Sequence, residues 1–142
     1  MKRILVATDG SEGAARAIAF AADLAKQLGA SLSIITVSGD FSENDVRQLA
    51  RSEGGIGAAL DLLSNRILVE AKEQAQRIGI TNIETQAAWG DAAGAIIDAA
   101  VRIQADAVVL GRRGRGQLAG LLLGSVSQKV ATLAPCTVIV VP

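Results

Sequence analysis

Residues 107–127 read AVVLGRRGRGQLAGLLLGSVS, and the interpretation of the whole chain starts from this stretch. Its first four residues form a short apolar run typical of a buried strand, and a helical pattern begins near Ser125. Glycines between a strand and a helix let backbone N–H groups approach an anion, and the helix N-terminus adds its positive dipole end. Arg112, Arg113 and Arg115 add positive charge. The stretch therefore predicts a nucleotide-binding loop.

A purely structural role for the same glycines stays open on the residues alone. No Gly-Lys-Ser/Thr follows the spacing of a Walker A loop, and the dinucleotide pattern G-x-G-x-x-G is absent. Glycine-rich turns between a strand and a helix often serve only close packing. The loop chemistry by itself does not separate phosphate binding from packing.

Composition restricts the class of protein. The chain has 142 residues, the length of one ordinary domain, and half of them are apolar. A net charge of zero, with two phenylalanines and one tryptophan as the aromatic residues, argues against nucleic-acid binding. There is no apolar run long enough to span a membrane and no signal-peptide pattern. These features predict a soluble, cytoplasmic protein that binds neither nucleic acid nor membranes.

The chain contains no histidine, and its one cysteine is Cys136. Ser-His-Asp catalysis, histidine metal ligands and Cys-rich zinc sites are therefore excluded. An enzyme built on this sequence would depend on carboxylates, hydroxyls, lysine or a bound cation, and no positioned general base is visible.

Apolar runs alternate with helical patterns along the chain. Strands are predicted at Arg3–Thr8, Ser31–Val37, Ile83–Ala88, Ala107–Leu110 and Thr137–Val141. Helices are predicted at about Ser11–Leu28, with Leu28 on the apolar face, at Ala58–Ile78, after an Asp91 cap, and after the glycine loop. The polar stretch Ser38–Gly57 is interpreted as a loop with some helix.

This alternation predicts an α/β fold, an open doubly wound parallel sheet of five strands with helices on both faces. Ligands of such sheets bind beyond the carboxyl ends of the strands, where the strand order reverses.

Three separate segments resemble one family. The spacing Gly111-x2-Gly114-x9-Gly124-Ser125 is similar to the ATP-binding signature of universal stress proteins. The segments ILVATDGS (4–11) and APCTVIVV (134–141) also resemble that family, and the likeness runs from Lys2 to Val141. It implies one Rossmann-like universal stress protein domain over residues 1–142, with strand order 3-2-1-4-5. The ends of the first and fourth strands would then meet at one crevice.

The resemblance also implies a site for ATP, with or without Mg²⁺. The Val37 main chain would contact the adenine edge, the glycines would follow the phosphates, and the Ser125 and Ser127 hydroxyls would donate to them. The full implied set is Ala7, Thr8, Asp9, Val37, Leu110, Gly111, Arg113, Gly114, Gly124, Ser125, Val126 and Ser127. Two positions keep a structural alternative, since Asp9 could cap the first helix and Ser125 could be an ordinary N-cap.

The function expected from the resemblance is an adenine-nucleotide-binding stress-response regulator with little or no turnover. It would act as a homodimer through strand Thr137–Val141, together with an unidentified regulatory protein. Two alternatives remain open. One is a slow ATPase or an autophosphorylating protein with Ser125 or Ser127 as acceptor, and the other is a dimeric interaction protein whose glycine loop is structural. ATP, AMP and a cyclic dinucleotide are not distinguished by the sequence.

Overall fold

The computed structural model describes residues 1–41, 43–112 and 123–142. Strands and helices alternate along the chain. The strands are β1 (Arg3–Ala7), β2 (Ser31–Val37), β3 (Ile83–Ala88), β4 (Ala107–Gly111) and β5 (Thr137–Val141). The helices are α1 (Glu12–Leu28), α2 (Glu43–Glu53), α3 (Ile56–Ile78), α4 (Ala92–Arg102) and α5 (Ser125–Leu133).

The five strands form one parallel sheet in the order β3-β2-β1-β4-β5. The predicted fold class and strand order are therefore confirmed. In the centre of the sheet, Ile4 of β1 is opposite Leu32 of β2 on one side and Ala107 of β4 on the other. The strand order reverses between β1 and β4, which is where a doubly wound sheet opens a crevice.

Each face of the sheet has its own apolar core. On one face α1 and α3 cover side chains such as Val6 and Ile34, and on the other α4 and α5 cover side chains such as Leu5 and Val108. The buried side of α1 consists largely of alanines, whose small side chains let the helix lie close to the sheet. The prediction that Leu28 faces inward is wrong: its side chain is 50% exposed, since the buried side of α1 ends at Ala25, one turn before the helix stops at Gly29.

The segment predicted as a loop with some helix, Ser38–Gly57, is mostly helical. A short 3-10 turn at Ser38–Asp40 leads through Phe41 to α2, and Gly54 and Gly55, both at positive φ, separate α2 from α3. The charged residues of α2 hide its amphipathic pattern, in which Val46, Leu49 and Ala50 are only partly exposed. Helix α2 packs on α3.

Helices α1 and α4 start on a side-chain cap, whereas α5 does not. The Ser11 hydroxyl accepts from the Ala14 N–H at the start of α1 (3.2 Å), and the Asp91 carboxylate accepts from the Gly94 N–H at the start of α4 (2.8 Å). Helix α5 has Gly124 as its N-cap and no side-chain cap bond. The alternative in which Ser125 is the N-cap is therefore wrong, since Ser125 is the first residue of the helix.

In the parts of the chain that the structure describes, no helix is both long enough and apolar enough to cross a bilayer.

The start of β1 is tied to the start of β4 by one carboxylate, which leads to a pH prediction. Asp106 accepts from the N–H groups of Lys2 (2.7 Å) and Arg3 (2.9 Å), and these two bonds hold the pKa of Asp106 below its ordinary value. A folded-state pKa below the unfolded one stabilises the fold above about pH 4, and this stabilisation is lost as the pH falls through the folded pKa.

We therefore expect Asp106→Ala to unfold at lower urea concentration than the wild type at about pH 7. The difference between the two proteins should be smaller at about pH 3 than at about pH 7, because the contribution of a carboxyl with a lowered folded-state pKa is lost progressively once the pH is below the pKa of the unfolded state. A difference that is equal at both pH values would contradict this assignment.

Candidate functional site

The carboxyl end of β1 is fixed against β2. The Thr8 N–H donates to the Ile35 carbonyl (2.9 Å), and the buried Thr36 hydroxyl donates to the Thr8 carbonyl (2.7 Å). Thr8 and Asp9 are each 6% exposed, although both are polar and stand at the tip of a strand. The backbone at Thr8, directly after β1, is therefore held in place by hydrogen bonds to β2.

Asp9 supports the turn that follows β1. Its Oδ1 accepts from the Ser11 N–H at 2.9 Å, and the Thr8 hydroxyl accepts from the Gly10 N–H at 3.2 Å. The structural alternative, in which Asp9 caps the first helix, is not what the structure contains, because Ser11 is the N-cap of α1. Asp9 thus lies between the end of β1 and the helix, two residues before the N-cap Ser11.

Gly111, the last residue of β4, lies against the first turn of α1. A Cβ atom at this position would be 3.0 Å from the Gly13 carbonyl oxygen and 3.1 Å from its carbon. The segments after β1 and after β4 therefore lie side by side, as the strand order implied. A side chain at this position would be tight against the α1 backbone, so a residue without a side chain fits best here.

Beyond Gly111 the chain is anchored at both ends of the glycine stretch. The Arg112 N–H donates to the Val141 carbonyl of β5 (2.7 Å), and the Arg112 carbonyl accepts from the Gly124 N–H (2.8 Å). The same carbonyl accepts from the Ser127 hydroxyl at 2.7 Å. Ser127 is 3% exposed, whereas Ser125 is exposed at the start of α5.

The end of β2 lies at the same end of the sheet as the end of β1, with which β2 pairs. The Val37 side chain is 3% exposed and belongs to the core beneath α4, as predicted, which leaves its main chain at the strand end. In the following turn, Gly39 lies directly against the Gly90 carbonyl that precedes α4. The tips that follow β2 and β3 are thereby held together by backbone contact.

An exposed ion pair joins Asp91, the N-cap of α4, to Lys129 in α5. Lys129 Nζ lies 3.4 Å from Asp91 Oδ2, with both side chains more than half exposed. The Gly94 N–H lowers the pKa of the Asp91 carboxyl, and Lys129 lowers it further. In residues 1–41, 43–112 and 123–142 no three metal-binding side chains of Asp, Glu or Cys come together.

Two predicted site residues, Arg113 and Gly114, lie outside the described residues, as does the rest of the stretch from 115 to 122. The other ten belong to four segments: the end of β1, the end of β2, the end of β4 and the start of α5. Ala7, Leu110 and Val126 pack in or against the core beneath α4 and α5. The predicted site residues that the structure describes therefore come from segments distant in sequence.

The whole chain matches the model of one protein family. The model of the universal stress protein family matches residues 1–142. The chain belongs to the universal stress protein family.

Relatives match this universal stress protein over nearly its full length. A universal stress protein of Thermus aquaticus is 35% identical over 99% of this chain and 98% of its own length. The crystal structure of a universal stress protein in complex with cAMP is 30% identical, covers 99% of this chain and 97% of its own, and has a TM-score of 0.74. The universal stress protein UspA from Lactobacillus plantarum, 24% identical with a TM-score of 0.80, shares the fold over 99% of this chain and 97% of its own.

Two features of this universal stress protein do not follow from its sequence. Ser127 was expected to donate to phosphates, but its hydroxyl donates to a backbone carbonyl, and nothing in the residue pattern separates these roles. Gly39 belongs to a polar stretch to which the sequence assigns no role. The position of Gly39 directly after the end of β2 could have indicated its role, because the segments that follow neighbouring strands lie close together there.

Proposed function

We propose that this universal stress protein binds an adenine nucleotide, ATP first of all, at the crevice between the ends of β1 and β4. One observation carries the proposal. The strand end at Gly111, the buried Asp9 and the uncapped start of α5 border the same end of the sheet. A regulatory role with little or no turnover fits this arrangement best.

The ligand class is supported by the related protein whose structure contains cAMP, which is 30% identical to this chain. On the base and ribose side, the Val37 main chain would meet the adenine edge. Asp9, whose carboxylate is an acceptor at the strand tip, would accept from the ribose hydroxyls or the adenine amine. Asp9 would not face a phosphate directly, since like charges repel.

The phosphates would lie at the start of α5. Its first turn has no side-chain cap, so its N–H groups and positive dipole end suit an anion. Gly111, Gly124, the exposed Ser125 hydroxyl and, from the stretch outside the described residues, Arg113 and Gly114 would complete the set. A magnesium ion would be held mainly by the phosphates, because the described segments contain no ready-made cluster of ligands.

Little turnover is expected because no histidine is present and Asp9 is tied to the turn after β1. Of the two proposed acceptor hydroxyls for autophosphorylation, Ser127 is buried and bonded to a carbonyl, while Ser125 is exposed. Ser125 is therefore the acceptor that this alternative would use.

A homodimer through β5 is part of the proposal. Strand β5 is at the edge of the sheet and its residues from Val138 to Val141 are only partly buried. An apolar edge strand is normally paired or covered, and a second copy of β5 would do this. The regulatory protein that the dimer would address stays unidentified.

Titration of MgATP into nucleotide-stripped protein tests the binding proposal. We expect affinity in the micromolar range, and Asp9→Ala should weaken it about 10- to 100-fold through loss of charged hydrogen bonds. Asp61→Ala, which removes an exposed carboxylate on α3, is the matched control and should leave the affinity unchanged. Absence of heat with ATP, AMP and a cyclic nucleotide would reject nucleotide binding and favour the dimeric interaction protein.

A further inference from the structure

Two donors meet at a single carbonyl beneath the proposed phosphate site. The Arg112 carbonyl oxygen accepts from the Gly124 N–H at 2.8 Å and from the Ser127 hydroxyl at 2.7 Å. A carbonyl oxygen has two lone pairs, and each lone pair of this oxygen accepts one of the two hydrogen bonds. Arg112 and Gly124 are the residues at which the described chain leaves β4 and enters α5.

The Ser127 hydroxyl has one proton, and geometry decides where it goes. Its Oγ lies 2.7 Å from the Arg112 carbonyl and 3.2 Å from the Gly124 carbonyl within its own helix turn. The shorter contact, across to the end of β4, is the better hydrogen bond. With Ser127 only 3% exposed, this proton is not available to a ligand in this arrangement.

The same carbonyl belongs to a residue that is itself fixed to the sheet. The Arg112 N–H donates to the Val141 carbonyl at 2.7 Å, a bond that belongs to the last pair of the β4–β5 ladder, Gly111 with Val141. Ser127 therefore attaches the first turn of α5 to the rigid end of the sheet. Helix α5 has only nine residues and no side-chain cap bond, and the Ser127 hydroxyl adds a side-chain contact between its first turn and the end of β4.

We propose that Ser127 is a positioning residue, whose hydroxyl holds the start of α5 beside Gly111 through the Arg112 carbonyl and so sets the geometry for phosphate binding. This inference rests on the proposed function for its consequence, but the attachment itself belongs to the free protein. Without the hydroxyl, the start of α5 has to be ordered when the nucleotide binds, which costs affinity. Contacts of the adenosine portion of the ligand, at the ends of β1 and β2, would be unchanged by the loss of the hydroxyl.

Amide hydrogen exchange in nucleotide-free protein tests the attachment directly. We expect the Gly124 amide, which shares the Arg112 carbonyl, to exchange several-fold faster in Ser127→Ala than in wild type. The control is Ser125→Ala, which removes an exposed hydroxyl two residues earlier and should leave this exchange rate unchanged. Ser127→Thr keeps the hydroxyl and should restore the wild-type rate, with the melting temperature of each variant recorded.

Titrations then test the consequence. MgATP should bind about fivefold more weakly to Ser127→Ala, the effect of one hydrogen bond, whereas adenosine affinity should be unchanged. Weaker ATP binding with unchanged Gly124 exchange would mean that the hydroxyl touches the phosphate, and would overturn the inference. Faster exchange with unchanged ATP affinity would overturn it too. If wild type binds no nucleotide, the proposed function fails and with it the consequence, while the exchange data still decide the attachment.

Discussion

Gly39→Ala is expected to lower the free energy of unfolding by about 3 kcal/mol, because the added methyl group has no space. Its Cβ would overlap the Gly90 carbonyl oxygen and lie 3.2 Å from the carbonyl carbon. Both partners are backbone, so neither can move away by a rotamer change. Relief requires separating the turn after β2 from the start of α4, which exposes the end of Val37 and the first turn of a helix that packs on the core.

Urea unfolding at neutral pH measures this effect, and the chain offers a control with the same chemical change. Gly57 is in the first turn of α3, where an added Cβ would meet no atom within 4 Å and φ is not positive. Gly57→Ala should therefore be neutral or stabilising by up to about 1 kcal/mol, as alanine favours helix. Equal effects of the two substitutions would show that the contact between Gly39 and Gly90 does not determine stability.

Gly111 variants are expected to affect both stability and nucleotide binding. Alanine would bring a Cβ 3.0 Å from the Gly13 carbonyl oxygen, and valine would add two further methyl groups in the same gap. We expect Gly111→Val to destabilise by about 2 kcal/mol and to weaken MgATP binding at least about tenfold, with Gly111→Ala intermediate. The physical reason is that β4 and the start of α1 must separate, which moves Gly111 relative to Asp9.

Calorimetric titration and urea unfolding of the same Gly111 preparations separate the two effects. The Asp9 carboxylate is still present in these variants. A loss of binding would therefore result from a change in the position of Asp9 relative to the end of β4. The Gly57→Ala protein again serves as control and should bind as the wild type does. Normal ATP affinity in a folded Gly111→Val protein would place the nucleotide elsewhere.

Much of the fold followed from the sequence, but for different reasons in different elements. Strands such as β4 are continuous apolar runs because both faces of the sheet are covered, and they were located correctly. Strand order came from the family resemblance, since periodicity carries no information on which strands are neighbours. Helix α2 was largely missed because it packs mainly on α3. Three partly buried positions among charged residues are enough for that contact, and they leave only a weak apolar pattern in the sequence.

Less of the candidate site than of the fold could be predicted from the sequence. Sequence could group Asp9, Gly111 and Ser125 once a topology was assumed, because carboxyl ends of parallel strands meet at one edge. It could not assign the Ser127 hydroxyl, since donation to a phosphate and donation to the Arg112 carbonyl require the same residue type. That choice depends on distances of a few tenths of an ångström in a folded chain.

The pairing of Ile4 with Ala107 has a consequence for synthesis on the ribosome. Strand β1 is synthesised well before β4, so the edge of β1 that pairs with β4 stays unpaired until β4 has emerged from the exit tunnel. During that interval the nascent chain carries an apolar strand with one unpaired edge, a feature that favours chaperone contact or aggregation. A nucleotide that bridges β1 and α5 would have no complete site on such a chain, so it could stabilise the protein only after translation had passed Ser127.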